Sequence, residues 1–141
     1  MPDDAREPRP LTVEHLLLCE GVRYEGGGRP AFVGVISRGC VPRLPSTMDD
    51  FCVSVELWGP PDGRVPVTFR IDAPSGALVR EEDVGVVALD SEGTRSFGGA
   101  FEGVCFEEEG LHRLSIRSRG RVLRSRRFLV EVEPSASRLT L

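Results

Sequence analysis

The sequence predicts an all-β chain, a two-sheet antiparallel β-sandwich of about eight strands, immunoglobulin-like in general architecture. Three observations carry that expectation. Short apolar runs alternate with polar residues at period two, Gly, Pro and Asp clusters separate them at fairly even spacing, and no convincing amphipathic helix of ten or more residues emerges. The length of 141 residues suits one domain, and 40% hydrophobic against 28% charged residues is a globular balance.

The first ten residues are rich in Pro and charge and read as a disordered tail, so the domain is expected over 11–133, followed by a C-terminal tail over 134–141. Leu16-Leu17-Leu18 opens the first strand, which Val22 and Tyr24 extend at period two. After Gly26-Gly27-Gly28, the β-rich run Ala31 to Ile36 should return as the second arm of a hairpin. Val41-Pro42-Arg43-Leu44-Pro45 holds two residues without a free N–H and reads as an extended, unpaired crossover.

Phe51 to Trp58 places Phe51, Val53, Val55 and Leu57 on one face and Cys52, Ser54, Glu56 and Trp58 on the other. Pro60-Pro61-Asp62-Gly63 turns into the cleanest alternation in the chain, Val65, Val67, Phe69 and Ile71. Residues 77–89 form a strand interrupted at Glu81-Glu82-Asp83, as a bulge or sheet change would produce. Gly98 to Phe106 reads as one further strand. A final hairpin follows: Leu114 and Ile116 alternate with Arg113, Ser115 and Arg117, Ser118-Arg119-Gly120 turns, and Phe128, Val130 and Val132 close the sheet before Pro134.

Several kinds of chemistry lose support at this level. Cys19, Cys40, Cys52 and Cys105 contain no C-x-x-C pair, so no metal site is expected. Cys19, Cys52 and Cys105 adjoin apolar runs and read as small buried hydrophobes, while Cys40 lies in a loop and should be exposed. There is no G-x-S-x-G motif, and Gly98 to Gly103 lacks the Lys-Ser/Thr of a phosphate loop, so no catalytic constellation and no cofactor are expected. His15 reads as structural. His112 follows Glu107-Glu108-Glu109; it either joins those carboxylates in a polar site or packs at the strand entrance.

Acidic residues outnumber basic ones 22 to 18, a net charge of −4 that disfavours a dedicated nucleic-acid binder. All the basic residues are Arg, and seven cluster without an acid between Leu111 and Phe128: Arg113, Arg117, Arg119, Arg121, Arg124, Arg126 and Arg127. These are the candidate binding residues, since guanidinium forks suit phosphates and acidic protein surfaces alike. Protection of a sheet edge by charge is the competing reading. Arg124 and Arg126 share parity with Phe128 and Val130, so they must face the core edge or be moved outward by a bulge.

The runs Leu16 to Arg23, Phe32 to Val35, Val41 to Pro45 and Phe51 to Val55, with Glu109 to Leu114 and Phe128 to Val132, resemble an uncharacterised family of small bacterial β-sandwich proteins, a domain of unknown function. The resemblance implies a β-sandwich and a bacterial source and brings no activity. No secretory leader or apolar membrane-spanning run is visible, so the cytoplasm is the expected compartment. The expected function is a non-catalytic protein-interaction or structural module, with self-association left open. The alternative is ligand or nucleic-acid binding through the arginine-rich hairpin.

Overall fold

A computed structural model describes residues 9–24, 30–48 and 50–133. The tails expected over 1–10 and 134–141 therefore lie outside the described residues, except for Arg9 and Pro10, as does the Gly26 to Gly28 turn. Among the described residues there are eleven strands and no helix: β1 (Thr12–Tyr24), β2 (Pro30–Val35), β3 (Arg38–Val41), β4 (Ser46–Thr47), β5 (Phe51–Trp58), β6 (Arg64–Asp72), β7 (Leu78–Ala88), β8 (Thr94–Phe101), β9 (Cys105–Phe106), β10 (Gly110–Ser118) and β11 (Arg121–Val132). No helix is thus long and apolar enough to cross a membrane.

The strands form three sheets, not two: a four-stranded sheet in the order β2-β1-β5-β8, a five-stranded sheet in the order β3-β11-β10-β6-β7, and a small β4-β9 ribbon. β1 and β2 pair antiparallel, as the expected hairpin requires. The five-stranded sheet is mixed, because β3 runs parallel to β11 with Arg38 opposite Leu129 and Val41 opposite Val132. The expected crossover at 41–45 is therefore paired at its first residue. Pairing stops there because Pro42 has no N–H to donate.

The two larger sheets share one core. Phe51, Val53, Val55 and Leu57 of β5 are buried, as are Val65, Val67, Phe69 and Ile71 of β6 and Leu114, Ile116, Phe128 and Val130 of the last hairpin. Phe69 of the five-stranded sheet meets Phe97 and Phe101 of the four-stranded one, with ring centroids 6.2 and 6.0 Å apart. The period-two faces read from the sequence are the faces that close on each other.

Two irregularities explain where the expected strand plan fails. β7 is continuous through Glu81 to Asp83, and its register against β6 slips between Gly85 and Asp83, leaving Val84 as the extra residue of a bulge. Gly85 sits there at φ +88°, a conformation that costs an L side chain. The run 98–106 is two strands: β8 ends at Phe101, and the 102–104 segment is tied to the 48–50 segment by Met48 N donating to Val104 O and Gly103 N donating to Asp50 Oδ1. That tie sends Cys105 and Phe106 to pair with Thr47 and Ser46 instead. Alternation then leaves Cys105 exposed and Phe106 buried, correcting the expectation that Cys105 is a buried hydrophobe. Cys19 is buried, Cys52 half-buried and Cys40 exposed.

Candidate functional site

The arginine-rich hairpin lies inside the five-stranded sheet, with β10 flanked by β11 and β6. Its two-residue turn puts Arg119 at φ +53° and Gly120 at +76°, both left-handed, the twist that joins antiparallel strands tightly. From the turn the strands pair Arg117 with Val122, then Ile116 with Arg124, so Leu123 is an extra residue on β11. Beyond that bulge the register is unbroken and Arg113 stands directly opposite Arg127.

This register divides the seven arginines. Leu114, Ile116, Phe128 and Val130 point into the core, so Arg113, Arg117 and Arg127 belong to the outer face, while Arg119 and Arg121 are exposed at the hairpin tip. The bulge lies on the turn side of Arg124 and does not move Arg124 or Arg126 outward. Arg124 crosses between the sheets, its Nη1 donating to Val13 O at 2.8 Å and Glu14 O at 3.2 Å, where the β1 register against β5 is itself irregular. Arg126 is half-buried, and its Nε is buried without a hydrogen-bond partner among the described residues. The hairpin therefore presents five arginines outward and turns two towards the seam between the sheets.

Among the described residues the outward five lack acidic partners. Elsewhere Arg38 pairs with Glu131, Arg80 with Glu82, and Arg70 with Asp72 at 2.8 Å and Glu81 at 3.9 Å. Among the described residues no carboxylate lies within 4.0 Å of any of the seven hairpin arginines. Arg117 Nε makes a long contact of 3.4 Å to Ser115 Oγ. Asp72 is the register neighbour of Arg113 on β6, but Arg70 holds its Oδ1.

Beside the Arg113 and Arg127 pair lies a groove of about 420 Å³ lined by those two residues with Asp72, Ala73, Pro74, Gly76 and Leu111. Its wall is the turn between β6 and β7. Glu108 fixes that turn by accepting from Ser75 N at 3.1 Å and from Ser75 Oγ at 2.5 Å.

Glu108 thus serves the groove's frame and not His112. The His112 ring is fully buried, stacked on Phe128 at 5.6 Å and edge-on to Phe106 at 5.0 Å. Its Nδ1 lies 3.0 Å from Gly110 O; a carbonyl only accepts, so Nδ1 carries the proton and Nε2 is left as a bare acceptor without a partner among the described residues. Glu107 and Glu109 are exposed. Between the two readings of His112, the geometry favours packing at the strand entrance.

Sequence reasoning missed a second polar group, on the outer face of the four-stranded sheet. His15 Nε2 is 3.0 Å from Ser54 Oγ and its Nδ1 is 3.6 Å from Glu56 Oε2. The signal was there in parity: Ser54 and Glu56 share a face, and the β1–β5 register sets His15 opposite Glu56. The order Glu, His, Ser has the connectivity of an acyl-transfer triad, but Ser54 is only 1% exposed and closed to a substrate as it stands. Among the described residues no group of three or more His, Cys, Asp or Glu is placed to hold a metal ion.

No protein-family model matches this chain, and neither does any curated protein. In keeping with the resemblance to an uncharacterised family, these searches attach no function to it. Solved structures do share its shape. An alkylpurine DNA glycosylase from Pseudomonas fluorescens, solved bound to DNA containing an abasic site analog, matches 86% of this chain over 30% of its own, with TM-score 0.57 and 12% identity. A β-glucosidase from Listeria innocua in complex with glucose matches 87% of this chain over 16% of its own, with TM-score 0.51 and 10% identity. An immunoglobulin-like protein from Pseudomonas aeruginosa matches 86% of this chain over 96% of its own, with TM-score 0.45 and 18% identity. The first two likenesses concern the fold alone, and this chain spans less than a third of either protein.

Proposed function

We propose that this chain is a non-catalytic interaction module with an immunoglobulin-like sandwich architecture, and that it binds an acidic surface of a partner protein through the outer face of its last hairpin. The observation that carries the reading is the set of five outward arginines without a carboxylate within 4.0 Å among the described residues. Arg113, Arg117 and Arg127 are held on paired strands whose opposite faces are core, so the forks are presented from a stiff support. The competing role, charge protecting a sheet edge, fits Arg113 and Arg117 poorly because β10 is an interior strand.

Nucleic acid is the second reading, favoured by the same arginines and set against by the net charge of −4. The likeness to a glycosylase solved on DNA adds a fold and no contact. The cytoplasm of a bacterium remains the proposed setting, in keeping with four cysteines that are all free thiols.

The test is capture from a nuclease-treated lysate of the source organism, comparing the native chain with an Arg113→Glu, Arg117→Glu, Arg127→Glu variant of equal thermal stability. A protein retained by the first and lost by the second supports the reading. Material that disappears with nuclease moves the assignment to nucleic acid, and equal capture by both chains removes the arginine face from either role.

A further inference from the structure

We infer that the groove at Arg113 and Arg127 is a receptor for a phosphorylated side chain of the partner protein; this rests on the acidic-partner reading and narrows it to one ligand chemistry. Arg113 and Arg127 are direct cross-strand partners, and like charges in that relation repel. The carboxylate nearest in register, Asp72, is held by Arg70, and Glu108 behind the groove wall is held by Ser75 N–H and O–H. No carboxylate among the described residues lies within 4.0 Å of either guanidinium, and Asp72, which lines the groove, is engaged at Oδ1 by Arg70, so an anion seated between the two guanidiniums relieves the repulsion and gains charge-assisted hydrogen bonds.

The chemistry selects among anions. A carboxylate has two oxygens and is satisfied by one fork. A phosphomonoester carries about −1.5 to −2 charges and three acceptor oxygens, enough for two forks approaching from adjacent strands. A phosphodiester of a nucleic-acid backbone offers one charge and two free oxygens, and belongs to a polyanion that the chain's net −4 repels. The groove's other lining suits a peptide: Leu111 is 52% exposed at its rim, and Pro74 and Ala73 add an apolar wall against which neighbouring side chains of a bound segment can pack.

The experiment is fluorescence anisotropy of the full chain with three labelled acidic peptides of one sequence, carrying phosphoserine, serine or glutamate at one position, at fixed salt, with inorganic phosphate as competitor. The expected result is binding of the phosphopeptide about tenfold tighter than either counterpart, as two extra charge-assisted bonds provide. Arg113→Lys and Arg127→Lys should each erase most of that preference while keeping the charge, because an ammonium has no fork. Arg119→Ala, at the hairpin tip, should leave the preference intact. Lysine variants that unfold are replaced by competition with inorganic phosphate on the native chain, which must displace the phosphopeptide selectively. Equal affinity for all three peptides, lost in the Arg113→Glu, Arg117→Glu, Arg127→Glu variant, overturns the phosphate receptor and leaves the acidic-partner reading standing. Binding of a single-stranded oligonucleotide with no binding of any peptide overturns both.

Discussion

The His112 ring is buried with an Nε2 that has no partner among the described residues, and the two aromatic neighbours explain why the fold tolerates it. Stacking and burial favour a flat ring there, while the Nδ1 bond to Gly110 O fixes its rotation. Replacing the ring by Phe keeps the packing and removes both the bond and the bare acceptor, two effects of about 1 kcal/mol each and opposite sign. His112→Phe should therefore lie within about 1 kcal/mol of the native chain, and His112→Ala should lose about 3 kcal/mol through the cavity it opens, as read by urea unfolding. A large loss in the Phe variant would show that the Gly110 bond outweighs the orphan acceptor. Asp90 titrates with a definite sign. Backbone N–H donation from Thr94, followed by the Thr94 hydroxyl and the N–H groups of Glu92 and Gly93, holds its carboxyl below the ordinary value of 3.8. A carboxyl depressed in the folded state adds stability above that value and loses it as pH falls through the folded pKa. Asp90→Asn should lower thermal stability at neutral pH, and the gap from the native chain should close as the acid range is entered. Cys19 shows the opposite case: burial, and then the charge of Cys52 opposite, push its thiol up. Iodoacetamide at neutral pH should label Cys40 and Cys105 first and Cys19 only after unfolding.

At the scale of elements, β8 contains two adjacent glycines with opposite constraints. A Cβ on Gly98 would lie 2.8 Å from the carbonyl oxygen of Val53, a backbone atom fixed in β5, whereas a Cβ on Gly99 meets nothing within 4 Å. Gly98→Ala should destabilise the chain, and Gly99→Ala should stabilise it by about 0.4–1 kcal/mol by restricting the unfolded chain. The same melting curves check both, and equal effects would refute the difference in crowding. The last hairpin is likewise decided by one residue. Leu123 is the bulge, and its position on the turn side of Arg124 is what sends Arg124 to the carbonyls of β1 and keeps Arg126 at the seam. Deleting Leu123 should restore continuous pairing up to the turn while leaving Val122 opposite Arg117 and Arg121 opposite Ser118.

For the whole molecule, the two large sheets meet through a core in which Phe69 touches aromatic rings of the opposite sheet. Phe69→Ala should cost about 3–5 kcal/mol, a large part of the 5–15 kcal/mol that holds a typical domain together, and calorimetry should show one transition at lower temperature. Seven of the 18 arginines fall in one hairpin with no acid among them, so association through that hairpin should weaken steeply with added salt.

The class of the fold and most of its inner faces are legible in the order of residues along the chain. Alternation at period two identified Phe51, Val53, Val55, Leu57, Val65, Val67, Phe69 and Ile71 as core because each strand buries one face and a strand has only two. The sequence also located the arginine cluster and the turn at Ser118 to Gly120, since charge and turn chemistry are local properties, whereas β7 runs through the interruption expected at Glu81 to Asp83 and bulges at Val84. The remainder depends on contacts between segments far apart in the chain. Pairing between distant segments separated β9 from β8 and laid β3 parallel to β11, which made three sheets and a mixed one where two antiparallel sheets were expected. It set Arg113 against Arg127, committed Asp72 and Glu108 to other partners, and drew His15, Ser54 and Glu56 together. Register and bulges are agreements between strands, and no single strand's sequence contains them.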